Sequence, residues 1–233
     1  MTISRPDPAE DRRVSFTDAF SSALRGAPAG FGRAEAAAHA DLLPVHAWSG
    51  EATTEDEALL ALCEGATIDL GCGPGRMAAA LVRRGHRTLG VDVVEECVRL
   101  TRARGVDAVH GSLFETLPGE GSWTTALLAD GNVGIGGDPV RLLERAAAIL
   151  GPAGRVVVEV AGPGVRSTSR WMTLEVDGVA CRPFRWAVLG TDDVCAVAVA
   201  AGLAVRSIER VGRRWVAVLD RGVEGVAGSR MVG

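Results

Sequence analysis

The stretch ATIDLGCGPGRMAAALVRRGHRTLGVD, residues 66–92, constrains the fold more than any other part of the chain. An apolar run leads into glycines at 71, 73 and 75, and an alanine-rich run follows. A second apolar run then ends on Asp92. A glycine turn between a buried strand and a helix lets the backbone approach a ligand, and the helix start offers free N–H groups. An acid at the end of the next parallel strand is placed to accept hydrogen bonds from ribose hydroxyls. The pattern therefore predicts an adenosine-type ligand at the switch point of a parallel sheet.

The rest of the chain supports such a sheet. SFTDAFSSALRG reads as a short helix with Phe16, Phe20 and Leu24 on one face. FGRAEAAAHADLLPVHAWSG reads as a helix ending before Pro44, then an extended piece carrying His46 and Trp48. TTEDEALLALCEGA reads as a helix with Thr54 and Glu57 in capping-box positions. From residue 66, short apolar runs alternate with helical patterns as far as RVVVEV at 155–160. That alternation predicts a doubly wound α/β fold. WMTLEVDGVACRPFRWAVLG reads as a hairpin around VDG. TDDVCAVAVAAG reads as a helix capped by Thr191, and LAVRSIERVGRRWVAVLD as two strands around Gly212. These predict an antiparallel end to the sheet.

Composition narrows the chemistry. All 25 basic residues are Arg, and there is no Tyr. A lysine Schiff base, a P-loop lysine and a Tyr–Lys proton relay are excluded. A net charge of −4, with no basic stripe, argues against a nucleic-acid partner. The five cysteines are odd in number, lack CxxC spacing and suit reduced thiols in a cytoplasmic protein. No His/Cys/Asp spacing suggests a metal. The N-terminal residues contain no apolar signal segment, and the longest apolar stretch, 194–205, is too short to span a bilayer. No membrane partner is expected.

DLGCGPGR departs from the dinucleotide fingerprint GxGxxG, because Arg76 holds the sixth position. It resembles motif I of the class I S-adenosylmethionine-dependent methyltransferases, LGVD resembles their second motif, and LLERAAAILGPAGRVVVEV resembles their later helix–turn–strand. The resemblance runs from about Ala66 to Val160. It implies a seven-stranded, mostly parallel Rossmann-like sheet with an antiparallel last strand. An N-terminal helical extension over 1–65 would cap the cofactor pocket. The core would cover 66–220, with a hairpin insertion at 171–187 after the fifth strand, and 221–233 would form a loose tail.

The resemblance also implies site residues. Gly71, Gly73 and Gly75, with Cys72 among them, would hold the methionine part of S-adenosylmethionine. Asp69 would orient the turn or the amino group, and Asp92 would take the ribose hydroxyls with Val93 beside it. Ser112 stands where many relatives carry an acid for the adenine amine, and Leu113 would flank the ring. Asp130 and Asn132 lie beyond the fourth strand, where the cofactor meets a small-molecule acceptor, and are the candidate catalytic groups. His46 is the candidate base near neutral pH, and the face of Trp48 suits a sulfonium. Trp171, Phe184, Arg185 and Trp186 suit an acceptor wall, the core of a lid or a homodimer contact; the sequence leaves these open. Two rival readings remain: a cofactor-binding regulatory or assembly protein without chemistry, and a nicotinamide-dependent oxidoreductase, which Arg76 and the missing Tyr–Lys pair disfavour.

Overall fold

The computed structural model describes the backbone of residues 13–33, 36–42 and 45–221, and the side chains of 13–32 and 47–221. The first segment forms α1 (Phe16–Leu24), β1 (Ala29–Arg33), β2 (Ala36–Leu42), α2 (Val45–Ser49) and α3 (Thr54–Leu60). The core supplies β3 (Thr67–Leu70), α4 (Arg76–Arg83), β4 (Thr88–Asp92), α5 (Glu95–Ala103), β5 (Asp107–His110), β6 (Trp123–Leu128), α6 (Pro139–Ile149) and β7 (Leu150–Val160). Then follow β8 (Thr168–Val176), β9 (Val179–Ala180), β10 (Phe184–Val188), α7 (Val194–Ala200), β11 (Leu203–Val211) and β12 (Arg214–Arg221). Residues 221–233, expected as a loose tail, lie outside the described residues after Arg221.

Seven strands make the central sheet in the order β11-β12-β7-β6-β3-β4-β5. Only β12 runs against the others, pairing antiparallel with both β7 and β11. Strands buried on both faces explain the near-continuous apolar runs at β3, β6 and β7. Leu127, Val157 and Val216 pack under α3 and α4 with Leu59, Leu60 and Leu81. Their strand neighbours Ala126, Leu128, Val156 and Val158 face the other way, against Leu142, Leu143 and Ala198 of α6 and α7. The sheet is therefore doubly wound, as the alternation predicts.

A second sheet, in the order β10-β8-β1-β2 with β9 also on β8, was not foreseen. The alanine-rich stretch expected as a helix is instead β2, and the piece carrying His46 and Trp48, expected to be extended, is the helix α2. The physical reason is a partner supplied far along the chain. β1 pairs in antiparallel register with β8 from Ala29↔Val176 to Arg33↔Met172, and β2 pairs onto β1. Pairing of this kind overrides the local helix preference of alanine, and Gly30 and Gly32 weaken the helical alternative further. The hairpin around VDG is present, with Asp177 and Gly178 both at positive φ, as a tight two-residue turn requires. Its return strand is broken at Cys181–Pro183 into β9 and β10.

Two caps differ in detail from the sequence reading. The box that opens α3 uses Thr53 and Asp56, one residue before the expected pair. Thr53 is extended, Asp56 N–H donates to its Oγ1 at 3.2 Å, and Thr53 N–H donates to Asp56 Oδ2 at 2.8 Å. Before α7, residues 191–193 form a 3-10 turn and no side chain caps the helix.

Asp56 also enters a buried cluster of charges. Arg76, at the start of α4, pairs with Asp56 and, through both oxygens at 2.6 and 2.7 Å, with Asp130. Arg214 on β12 pairs with Asp56, with Asp130 at 3.2 Å and with Glu159 at 2.5 Å. Burial opposes ionisation of Asp56, but Thr53 and Arg76 hold its carboxyl below the usual value. Removing one member of such a cluster strands the others in low dielectric. Arg214→Met is expected to cost about 3–5 kcal/mol in urea unfolding. Arg206→Met, which breaks the exposed pair with Asp220, should cost less than about 1 kcal/mol.

Candidate active site

The glycine turn lies at the carboxyl end of β3. Gly71, Gly73 and Gly75 have φ of +81°, +54° and +86°, the left-handed region where a side chain is strained. Two of them also have no room. A Cβ on Gly71 would lie 2.8 Å from Asn132 Nδ2, and one on Gly75 would lie 2.9 Å from the Thr101 backbone. A Cβ on Gly73 would meet nothing within 4 Å, so this glycine faces open space. The turn is braced from three sides. Gly71 N–H donates to Val91 O at 2.9 Å, Thr101 Oγ1 donates to Gly73 O at 2.9 Å, and Asn132 Nδ2 donates to Gly71 O at 2.7 Å.

Asp92 ends β4 and is nearly buried. Its Oδ2 accepts from Gly73 N–H at 2.9 Å and its Oδ1 from Val94 N–H at 2.8 Å. A carboxylate takes about four hydrogen bonds, so each oxygen keeps acceptor capacity toward the cavity that Asp92 lines. Asp69 lines the same cavity, is 2 % exposed, and its Oδ2 has no hydrogen-bond partner. Burial, then the nearby Asp130, push its carboxyl up to about 7. Cys72 fills the space against Gly90 and Thr101, and burial holds its thiol well above its usual value, so it stays protonated.

The cavity measures about 520 Å³, within the range of pockets that enclose small ligands. Val93, Ser112, Leu113 and Phe114 line it together with Asp92. Ser112 Oγ accepts from Phe114 N–H at 3.2 Å and keeps its own proton to donate. Phe16, Phe20, Phe31 and Trp48 from the N-terminal segment, with Phe184, Arg185 and Trp186 from β10, line the cavity as well. An isolated bridge between Ile135 and Trp186 ties the second sheet to the loop after β6.

The structure brings together every expected cofactor residue except Gly75, which sits behind the cavity wall against Thr101. The expected catalytic groups are placed otherwise. Asp130 borders the cavity but is clamped by Arg76 and Arg214, with its backbone at φ +54° and its N–H donating to Glu159. Asn132 spends its amide N–H groups on Leu70 and Gly71 carbonyls. Both positions hold the turn and its floor. His46 lies on α2, two residues before Trp48, and its side chain is outside the described residues. Of the four hairpin residues, Phe184, Arg185 and Trp186 line the cavity, whereas Trp171 is 46 % exposed.

Sequence reasoning missed several contributors. Arg76 served there only to exclude a dinucleotide, yet it ties Asp56 to Asp130. Thr101, fully buried on α5, carries no local signal. Phe16 and Phe20 were visible as an i, i+4 pair, a spacing that says only which helix face is covered.

A sheet of this order with one reversed strand, a glycine turn at its switch point and an acid closing the next strand define the class I methyltransferase fold. Residues 68–154 match the methyltransferase-domain family model. A S-adenosylmethionine-dependent methyltransferase from Bacteroides fragilis, solved with S-adenosyl-L-homocysteine, superposes with a TM-score of 0.73 at 19 % identity, covering 93 % of this chain and 98 % of that one. The Burkholderia thailandensis 1,6-didemethyltoxoflavin-N1-methyltransferase gives 0.57 at 21 % identity, covering 95 % and 94 %. A tabtoxin biosynthesis enzyme of Pseudomonas amygdali pv. tabaci is 40 % identical over 72 residues, which is 30 % of this chain and 29 % of that protein. The match thus spans less than a third of that relative. Residues 68–154 thus match a methyltransferase domain, and the chain as a whole has the class I methyltransferase fold.

Because Asn132 holds the glycine turn, Asn132→Ala should weaken S-adenosylhomocysteine binding by about 1–1.5 kcal/mol, the scale of a lost hydrogen bond. Calorimetric titration measures this directly, and unchanged affinity would remove the clamp from the binding account.

Proposed function

We propose that this protein transfers a methyl group from S-adenosylmethionine to a small-molecule acceptor and releases S-adenosylhomocysteine. The observation that carries the reading is Asp92, whose carboxylate fixes the glycine turn through Gly73 N–H and keeps acceptor capacity for a vicinal diol. The fit extends to the rest of the cofactor. Asp69 offers an unpartnered buried oxygen for an ammonium group, Gly73 leaves open space over the turn, and Val93 and Leu113 offer apolar surface for a flat base. Ser112 would contact the base amine. When bound, the cofactor supplies a sulfonium methyl carbon already activated for in-line displacement.

The protein's own part is alignment and exclusion of water. Phe16, Phe20, Trp48, Phe184 and Trp186 wall the acceptor end. Asp130 and Asn132 act as positioning residues through Arg76 and the turn. His46, on the same short helix as Trp48, takes the acceptor's proton where one must leave. A small acceptor suits the enclosed cavity and the acidic chain. The bound 1,6-didemethyltoxoflavin of the Burkholderia enzyme and the tabtoxin pathway of the Pseudomonas relative point the same way.

Titration with S-adenosylmethionine, S-adenosylhomocysteine and NADH side by side tests the cofactor. Binding of the first two is expected, and binding of NADH alone would sink the reading. Asp92→Ala should weaken both by about 1.5–3 kcal/mol, the scale of a hydrogen bond to a charged group. Asp69 adds a pH dependence. Its carboxyl titrates near 7 in the free protein, and a cationic ligand favours the ionised form. S-adenosylmethionine affinity should therefore rise as pH increases through about 7. In Asp69→Asn the protein's share of this rise should vanish; an identical pH profile in the variant would show that Asp69 does not face the ligand's charge.

A further inference from the structure

We infer that the acceptor enters the cavity as an organic ammonium ion, its charge held against the rings of Phe16, Phe20, Trp48, Phe184 and Trp186 in the field of Asp69, Asp92 and Asp130. The inference rests on the methyl-transfer reading and names the acceptor class for it.

The rings form one contiguous group drawn from separate parts of the chain. Phe16 and Phe20 of α1 stack at 5.5 Å, and Phe16 meets Phe184 of β10 at 4.8 Å. Trp48 of α2 stacks on Phe20 at 5.9 Å, and Trp186 stands edge-on to Phe184 at 6.3 Å. Phe31 of β1 meets Phe184 at 6.2 Å. All of these rings are partly buried and all line the cavity. An aromatic face attracts a cation through the ring quadrupole, most strongly at Trp.

The charge around the same cavity is negative. Asp69, Asp92 and Asp130 all line it. Burial raises the Asp69 carboxyl, Asp130 and Asp92 raise it further and Arg76 opposes them, so the three acids share one field. Arg76 also lines the cavity, but its guanidinium is taken by Asp56 and Asp130. Arg214 is taken by Asp56, Asp130 and Glu159. Arg185 is exposed and lies between Phe184 and Trp186 on β10, where strand alternation turns its side chain to the opposite face. There its guanidinium stands 5.5 Å from the Trp171 ring centroid and donates to Ser169 Oγ at 2.8 Å. His110, which adds an attraction to Asp92, is exposed and does not line the cavity. Among the described residues, no unpaired cation is therefore directed into the cavity.

The ionic balance sets the sign of the ligand. Five carboxylates, Asp56, Asp69, Asp92, Asp130 and Glu159, share the two guanidiniums of Arg76 and Arg214. Three negative charges are in excess, or two with Asp69 protonated. Bound S-adenosylmethionine, with its sulfonium, ammonium and carboxylate, adds one net positive charge and leaves part of the excess uncompensated. S-adenosylhomocysteine is a zwitterion without net charge and leaves all of it. A cleft lined by one sign of charge concentrates ions of the other. An anionic acceptor is thus repelled, and a neutral one gains nothing from the field. An ammonium ion gains from the acids and from the rings together.

Three probes of similar size separate ring from charge: benzylammonium, benzyl alcohol and benzoate. They are titrated by calorimetry at neutral pH into the full chain, free and saturated with S-adenosylhomocysteine. With S-adenosylhomocysteine bound, benzylammonium should bind about tenfold or more tighter than benzyl alcohol, with benzoate weakest. Trp186→Leu should cut that advantage about threefold or more, and Trp186→Phe should keep most of it, while both variants still bind S-adenosylhomocysteine. Trp48→Leu repeats the test should Trp186→Leu fail to fold. Equal binding of benzylammonium and benzyl alcohol, preference for benzoate, or binding of none of the three would overturn the inference and leave the cofactor reading standing. So would an ammonium preference that disappears once S-adenosylhomocysteine is bound, or one untouched by loss of either tryptophan. Failure of S-adenosylhomocysteine itself to bind would overturn the methyl-transfer reading, and the inference with it.

Discussion

The floor of the cavity depends on one buried ionic cluster. Asp56 from α3, Arg76 from α4, Asp130 after β6, Glu159 of β7 and Arg214 of β12 come together in it. Replacing such a cluster by apolar side chains of the same volume is often neutral or stabilising, so its worth here lies in what it joins. It sets the start of the glycine-turn helix against the N-terminal segment, and both against the reversed strand. Asp130 reaches its partners from a left-handed backbone, a strain that neighbours must hold in place. Three carboxylates face two guanidiniums, which leaves one negative charge in excess. Burial raises the carboxyl of the neighbouring Asp69, Asp130 of the cluster raises it further, and Arg76 opposes them.

How much of this was legible in the sequence follows from how far apart the interacting groups lie. The strand–turn–helix unit was readable because each requirement is local: glycines where φ is positive, apolar residues where strands are buried on both faces, and an acid at the end of β4. The antiparallel end was readable from Gly212 between two alternating runs. The cluster was not, because Asp56 and Arg214 are 158 residues apart and each alone resembles a surface charge. The partners of Asp130 and Asn132 were hidden for the same reason. Their position beyond β6 was right, but only the fold shows that Asn132 reaches back to Leu70 and Gly71 and that Arg76 and Arg214 claim Asp130.

The second sheet marks the other limit. Alanine in β2 argues locally for a helix, and the strand exists because β1 finds β8 across most of the chain. The one-residue shift of the α3 capping box, from Thr54 to Thr53, is a smaller case. Both pairs fit the spacing rule, and the choice falls to Asp56, which the ion cluster also holds. Local pattern and distant contact agree at Thr53, whereas at β2 the distant contact wins.

The two sheets contribute different kinds of residue to the cavity. The central sheet presents turn, acids and backbone donors whose geometry follows from the strand order itself. The second sheet, with α1 and α2, contributes chiefly aromatic residues to the cavity: Phe16, Phe20, Phe31, Trp48, Phe184 and Trp186. Its pairing of β1 with β8 ties the N-terminal segment to the insertion after β7, so neither can close the cavity by itself. The Ile135–Trp186 bridge then fixes this wall against the loop after β6. Side chains on such a wall can be exchanged without disturbing the turn, because none of them braces Gly71, Gly73 or Gly75. The rings of Phe16, Phe184 and Trp186 therefore line the cavity independently of the brace that holds Asp69, Gly73 and Asp92 at the turn.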